Sequence, residues 1–258
     1  MIVARTVADV RDALAGRRDG TIGLVPTMGS LHPGHLTLLE AARRDCDTVV
    51  MSLFVNPAQF GDAADLNGYP RDEARDLELA REAGVDVAFI PSMAELYPPG
   101  YQTWVDVTEL GAILEGVHRQ GHFRGVATVC LKLFTIVRPD VAYFGQKDAQ
   151  QVEVLRRMIA DLHLELGLAV LPTVRDADGL ALSSRNVHLS ADERARALAL
   201  PRALATHDPE TARAILEDAG LAVDYVVVAP FDPPVLAAAV RAGDTRLIDN
   251  APLEEDES

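Results

Sequence analysis

Through its first two-thirds the chain alternates short apolar runs with stretches whose apolar residues recur at helical spacing. The runs TIGLVP (21–26), TVVMSLFV (48–55), VDVAFIP (85–91), VAYFG (141–145) and LGLAVLPTV (166–174) read as buried strands. Between them GHLTLLEAARRD, RDEARDLELAREAG and DAQQVEVLRRMIADLHL carry one apolar face each and read as amphipathic helices. GVATVCLKLFTIVR is apolar enough to be a buried helix. Strand and helix in alternation predict an α/β fold, a parallel sheet covered by helices on both faces. Such sheets bind ligands beyond the carboxyl ends of their strands.

After Thr173 the pattern changes. Asp178-Gly179 signals a tight turn, and SADE (190–193) is a capping box that opens a helix. A helix (ETARAILEDAG), a strand (DYVVVAP), a helix (PPVLAAAVRAG) and a short strand (TRLID) follow. The expected organisation is a main domain over 1–173 and a smaller C-terminal α/β domain over 174–258. The tail LEEDES is acidic and is expected to be disordered.

Composition narrows the function. The 258 residues carry a net charge of -15, which argues against nucleic-acid or acidic-membrane partners. Small anionic substrates remain open, because they need only a local basic pocket. Cys46 and Cys130 show neither a disulfide framework nor zinc spacing. The start lacks the apolar core of a signal peptide, and no apolar run is long enough to span a bilayer. A cytoplasmic setting is the expectation. Of the 24 basic residues only Lys132 and Lys147 are lysines.

The candidate chemistry gathers where strands give way to helices. In VPTMGSLHPGHL, Pro33 suits the first helical turn, which sets His32 near the N-cap and His35 about one turn on. Such a pair can hold a metal, hold an anion, or simply pack. Free N–H groups and the positive end of the helix dipole favour an anion, and a phosphate above all, over a cation. YFGQKDAQQ (143–151) repeats the strand-to-helix pattern with Lys147 at the edge. LSSRN (182–186) adds two hydroxyls and a guanidinium, and Lys147 with Arg185 could neutralise a triphosphate. FVNPAQF (54–60) offers the uncharged amides of Asn56 and Gln59 to a small polar substrate or a ribose. Asp62, Asp65, Asp72, Glu73 and Asp76 form an acidic loop and helix that could supply a carboxylate to Mg²⁺.

The blocks PTMGSLHPGH, FVNPAQF, DLNGYPRD, LEGVHRQGHFRGVATV, KLFTIVRPDVAYFGQKDAQQ, GLALSSRN and RLIDN, in this order, resemble the pantoate–β-alanine ligase family over nearly the whole chain. The resemblance implies a nucleotidyltransferase-type Rossmann-like domain, a smaller C-terminal lid and a homodimer. It implies ATP with Mg²⁺, pantoate and β-alanine as small-molecule reactants, and a pantoyl adenylate between two steps. It further implies catalytic roles for His32, His35, Lys147 and Arg185. ATP would meet Met28, His35, Gly145, Lys147, Asp148, Val174, Leu182, Ser183, Ser184 and Arg185. Pantoate would meet Met28, Asn56, Gln59 and Gln151, and Asp76 would serve the metal. Three positions depart from the family's usual residues: Arg75 where an acid is frequent, Gln146 where Glu is usual, and Leu182 where Met is usual. The C-terminal domain is also shorter than usual. A related adenylyltransferase and a non-catalytic ligand-binding paralogue are the alternatives.

Overall fold

The structure, a computed structural model of the chain, describes residues 1–61 and 63–253, without the side chains of 63–65. Asp62, the Asp65 carboxylate and the acidic tail after Leu253 lie outside the described residues. The chain divides into two compact units, Met1–Phe144 with Val154–Leu171 and Gly145–Glu153 with Pro172–Ser258. Segment Gly145–Glu153 groups with the second unit because its first turn is bonded to a strand there, as described below.

The first unit is built on strands β1 (Ile2–Ala4), β2 (Ile22–Thr27), β3 (Thr48–Leu53), β4 (Val87–Phe89), β5 (Val141–Gly145) and β6 (Gly167–Leu171). Their order in the sheet is β1-β4-β3-β2-β5-β6, and the β1–β4, β4–β3, β3–β2 and β2–β5 pairs are parallel. Strands β2 and β3 are almost wholly buried, which is why they read as continuous apolar runs rather than alternating ones. Val25, Val49, Met51, Ala88 and Tyr143 form a core with Leu38, Leu39 and Ala42 of helix Pro33–Asp45 and Ala80 of helix Glu73–Glu82. The direction in which the chain adds strands reverses between β2 and β5. Ligand sites of open α/β sheets lie at such a point.

The second unit holds an antiparallel sheet, β7 (Ala222–Ala229), β8 (Val235–Ala242) and β9 (Thr245–Pro252), in that order. Helices Ala191–Ala197, Ala199–Leu204 and Pro209–Asp218 share its core through Ala197, Leu200, Leu204, Ala212 and Leu216. The Ser190–Glu193 capping box forms as the sequence predicts. The helix expected over PPVLAAAVRAG does not form; most of it is β8. As the central strand β8 is buried on both faces, so its alanines fill tight space instead of promoting a helix. Gly243, at φ +59°, turns the chain between Ala242 and Thr245, which pair as the start of β9.

Candidate active site

In the first unit the site starts where β2 ends. The chain turns through Gly29 (φ +82°) and Ser30 (φ +53°), two left-handed residues in succession, then extends at His32. His32 is the N-cap of helix Pro33–Asp45, with Pro33 at the first helical position. Ser30 is not glycine, so the turn needs support. Asp76, in the first turn of helix Glu73–Glu82 and 2% exposed, provides it. Its Oδ2 accepts the Ser30 N–H at 2.9 Å and its Oδ1 the Leu31 N–H at 2.8 Å. A Cβ at Gly29 would meet Asp76 Oδ2 at 2.8 Å, so glycine is required there for space as well as for conformation.

This geometry bears on the metal expected at Asp76. A buried carboxylate whose two oxygens each accept a backbone N–H acts as a structural brace for this turn. No group of three His, Cys, Asp or Glu side chains able to hold a metal ion occurs among the described residues.

The two histidine rings lie against each other, with centroids 4.1 Å apart and planes tilted by 38°. His35 Nδ1 accepts the His32 backbone N–H at 3.4 Å. In a neutral imidazole one nitrogen donates and the other accepts, so this bond sets the His35 proton on Nε2. Nε2–H is then a donor beside a helix N-terminus.

Asn56 and Gln59 are brought together in the same unit. Asn56 caps the short turn Pro57–Gln59 and is 1% exposed. Its Nδ2 donates to Gln59 Oε1 at 3.0 Å and to the Gly125 carbonyl at 3.1 Å. Its Oδ1 accepts the Tyr97 hydroxyl at 3.0 Å and the Ala58 N–H at 3.3 Å. All four capacities of the amide are therefore used within the protein. With Oε1 engaged, Gln59 turns its NH₂ towards the Met28 sulfur, 3.4 Å away. The carbonyl of Gln59 also lies 2.9 Å from His122 Nδ1. Helix His122–Val137 can approach this turn only because residue 125 is glycine, as a Cβ there would collide with the Ala58 carbonyl.

Sequence reasoning missed Tyr97 and Gly125. The glycine inside the apolar helical run HFRGVATVC was the available signal for a close backbone approach. Nearby, Lys132 holds its ammonium 4.3 Å from the Tyr101 ring centroid and 5.4 Å from that of Tyr97.

The second unit gathers the other expected residues in two turns. Gly145 precedes the turn Gln146–Asp148, in which the Lys147 side chain is 20% exposed and its Nζ lies 4.0 Å from Asp148 Oδ2. Gln151, partly buried, is in the following helix Ala149–Asp161. The Leu182 N–H donates to the Val174 carbonyl at 2.9 Å, which closes a loop containing the Asp178-Gly179 turn and brings those two expected nucleotide contacts together. Ser183 then caps the short helix Ser184–His188, accepting the Arg185 N–H at 3.3 Å.

A parallel sheet whose strand order reverses beside a histidine-bearing helix start defines a Rossmann-like, nucleotide-binding α/β protein. The family model for pantoate–β-alanine ligase matches residues 2–252. The pantothenate synthetase of Heliobacterium modesticaldum is 51% identical over 279 residues, covering 97% of this chain and 99% of its own. That of Agrobacterium fabrum is 50% identical, with 97% and 95% covered. The pantothenate synthetase of Thermus thermophilus superposes with a TM-score of 0.91 at 45% identity, covering 98% of this chain and 99% of that one. The pantoate–β-alanine ligase of Francisella tularensis, solved with β,γ-ATP and β-alanine, gives 0.89 at 34% identity, with 98% and 97% covered. The chain belongs to the pantoate–β-alanine ligase family. It is a ligase that uses ATP to join pantoate to β-alanine.

Proposed function

We propose that the ligation runs in two steps through an acyl adenylate. In the first, a pantoate carboxylate oxygen attacks the α-phosphorus of ATP, the bond to the β-phosphate oxygen breaks, and pyrophosphate leaves. In the second, the amine of β-alanine attacks the acyl carbon, AMP leaves with the bonding electron pair, and the amine loses a proton.

The observation that carries this reading is the hydrogen bond from the His32 N–H to His35 Nδ1. With Nδ1 accepting from His32, Nε2 is a fixed donor at a helix N-terminus, suited to a phosphate oxygen that gains charge. His32 contributes the neighbouring ring. Lys147 and Arg185, with Ser183 and Ser184, take the phosphates; Gly145, Asp148, Val174 and Leu182 take the nucleoside. Gln59 offers its NH₂ to pantoate, Met28 supplies an apolar contact, and Gln151 takes a second polar group. Asn56 acts by fixing Gln59. No nucleophilic side chain is needed, because positioning and charge stabilisation can carry both steps.

Mg²⁺ enters as part of the substrate, bound to ATP. The homodimer is supported by family resemblance alone, and sedimentation of the purified chain tests it. Two buried free thiols, Cys46 and Cys130, suit a reducing, cytoplasmic compartment. Burial pushes the Cys130 thiol up to about 12, so it is inert at neutral pH. Product analysis tests the chemistry: one AMP and one pyrophosphate are expected per pantothenate. Stoichiometric ADP and phosphate would overturn it.

A further inference from the structure

The block RLIDN (246–250) has no part in the chemistry above, yet its last two residues are almost fully buried polar groups, Asp249 at 2% and Asn250 at 4% exposure. Asn250 lies on β9 in the second unit, and its amide reaches the turn that carries Lys147. Nδ2 donates to the Gln146 carbonyl at 2.9 Å and to the Lys147 carbonyl at 3.0 Å. Oδ1 accepts from Gln146 Nε2 at 3.3 Å. Behind it, Asp249 Oδ1 accepts the Asn250 N–H at 2.8 Å, and Arg175 grips both Asp249 oxygens at 2.6 and 3.3 Å.

We infer that Asn250 and Gln146 are positioning residues for Lys147, a clasp that fixes the backbone from which the lysine emerges. The inference rests on the proposed role of Lys147 at the phosphates. The member at 250 must be an amide, and an amide at 146 adds a third bond. An aspartate at 250 would turn an acceptor oxygen onto two carbonyls, and a glutamate at 146 would set a carboxylate oxygen against Asn250 Oδ1. The Gln that stands where the family usually has Glu thus donates a hydrogen bond that a carboxylate could not. A clasp of this kind acts on the step in which pyrophosphate gains charge and leaves the aminolysis of a preformed adenylate alone.

The test measures the two half-reactions separately on Asn250→Asp, Asn250→Ser, Gln146→Glu and Lys147→Ala: pyrophosphate release from ATP and pantoate, and pantothenate formation from supplied pantoyl adenylate and β-alanine. Circular dichroism selects folded variants, and Asn250→Ser serves if the aspartate does not fold. The expected result is a fall in kcat for adenylate formation of about tenfold or more at position 250 and about threefold for Gln146→Glu, with aminolysis within about twofold of the parent, since a tenfold change corresponds to about 1.4 kcal/mol. Equal losses in both half-reactions, or none, would overturn the clasp. Were Lys147→Ala to form adenylate at the parental rate, the reading of Lys147 itself would fail. A loss in Lys147→Ala without one at position 250 would fail the clasp alone.

Discussion

At the scale of single residues, one proton decides what His35 can do. Because Nδ1 is held by the His32 N–H, Nε2 is the nitrogen that carries hydrogen and can donate to a charged oxygen. His35→Ala should lower adenylate formation by about 10²–10³, the scale of losing a preorganised donor. Pantoate affinity should change little, since Gln59 and its support lie elsewhere. Single-turnover kinetics with a pantoate titration measures both, and near-parental turnover would return His35 to a packing role. The histidines were legible because helix starts are local: Pro33, the N-cap and the third helical residue lie within four positions of each other. The supports were not. Asp76 reaches its two N–H groups across 46 and 45 positions, and Tyr97 reaches Asn56 across 41. Nothing in local spacing encodes such a pairing. A carboxylate in an acidic run looks the same from sequence whether it will brace a turn or meet a cation.

At the scale of elements, helix Glu73–Glu82 acts on the β2–helix connection through one side chain. Asp76→Asn would turn an NH₂ towards one of the two backbone N–H groups, losing an acceptor there. A hydrogen bond to a charged group is worth about 1.5–3 kcal/mol, and urea unfolding should register a loss of that order. Adenylate formation should fall with it, while the Mg²⁺ concentration for half-maximal activity stays put. A shifted Mg²⁺ requirement at unchanged stability would mean that the carboxylate binds metal after all.

Helix starts elsewhere depend on carboxylates too. Hydrogen bonds from the Arg5 and Thr6 N–H groups hold Asp9 below the usual carboxylate range; the Ser190 N–H and hydroxyl do so for Glu193, and Thr211 for Asp208. The unfolded chain binds more protons than the folded one between the two sets of pKa values. The stability from these caps is therefore complete above the unfolded value of about 4 and is lost as pH falls through the folded values. The urea midpoint should drop as pH is lowered from about 5. Replacing Asp9, Glu193 and Asp208 with Ala should lower stability at the higher pH and flatten that dependence; an unflattened profile would mean that other groups control it. Strands β2, β3 and β4 of the first unit were legible because burial on both faces writes an unbroken apolar run, whereas the short and largely exposed β1 leaves no such run. The same rule misleads at β8, where a short run of buried alanines fits helix and strand alike. The pairing partners β7 and β9 decide between them.

At the scale of the whole molecule, the acidic balance and the arginine preference combine. The net charge of -15 provides no general attraction for a polyanion, so affinity for ATP must come from a few fixed cations. The chain has only two lysines, and one of them, Lys132, rests its ammonium against tyrosine rings. With its terminal amine, a chain of this sequence carries three primary amines. A mild acylating reagent becomes a footprinting probe whose adducts can be counted by intact mass and assigned by peptide mapping. Saturating ATP should protect Lys147 and leave labelling of the terminus unchanged; equal labelling of Lys147 with and without nucleotide would argue that ATP does not cover it. The same scarcity bears on the product of the first step. An acyl adenylate is itself an acylating agent, and a chain with so few amines offers it few sites for self-modification before β-alanine arrives.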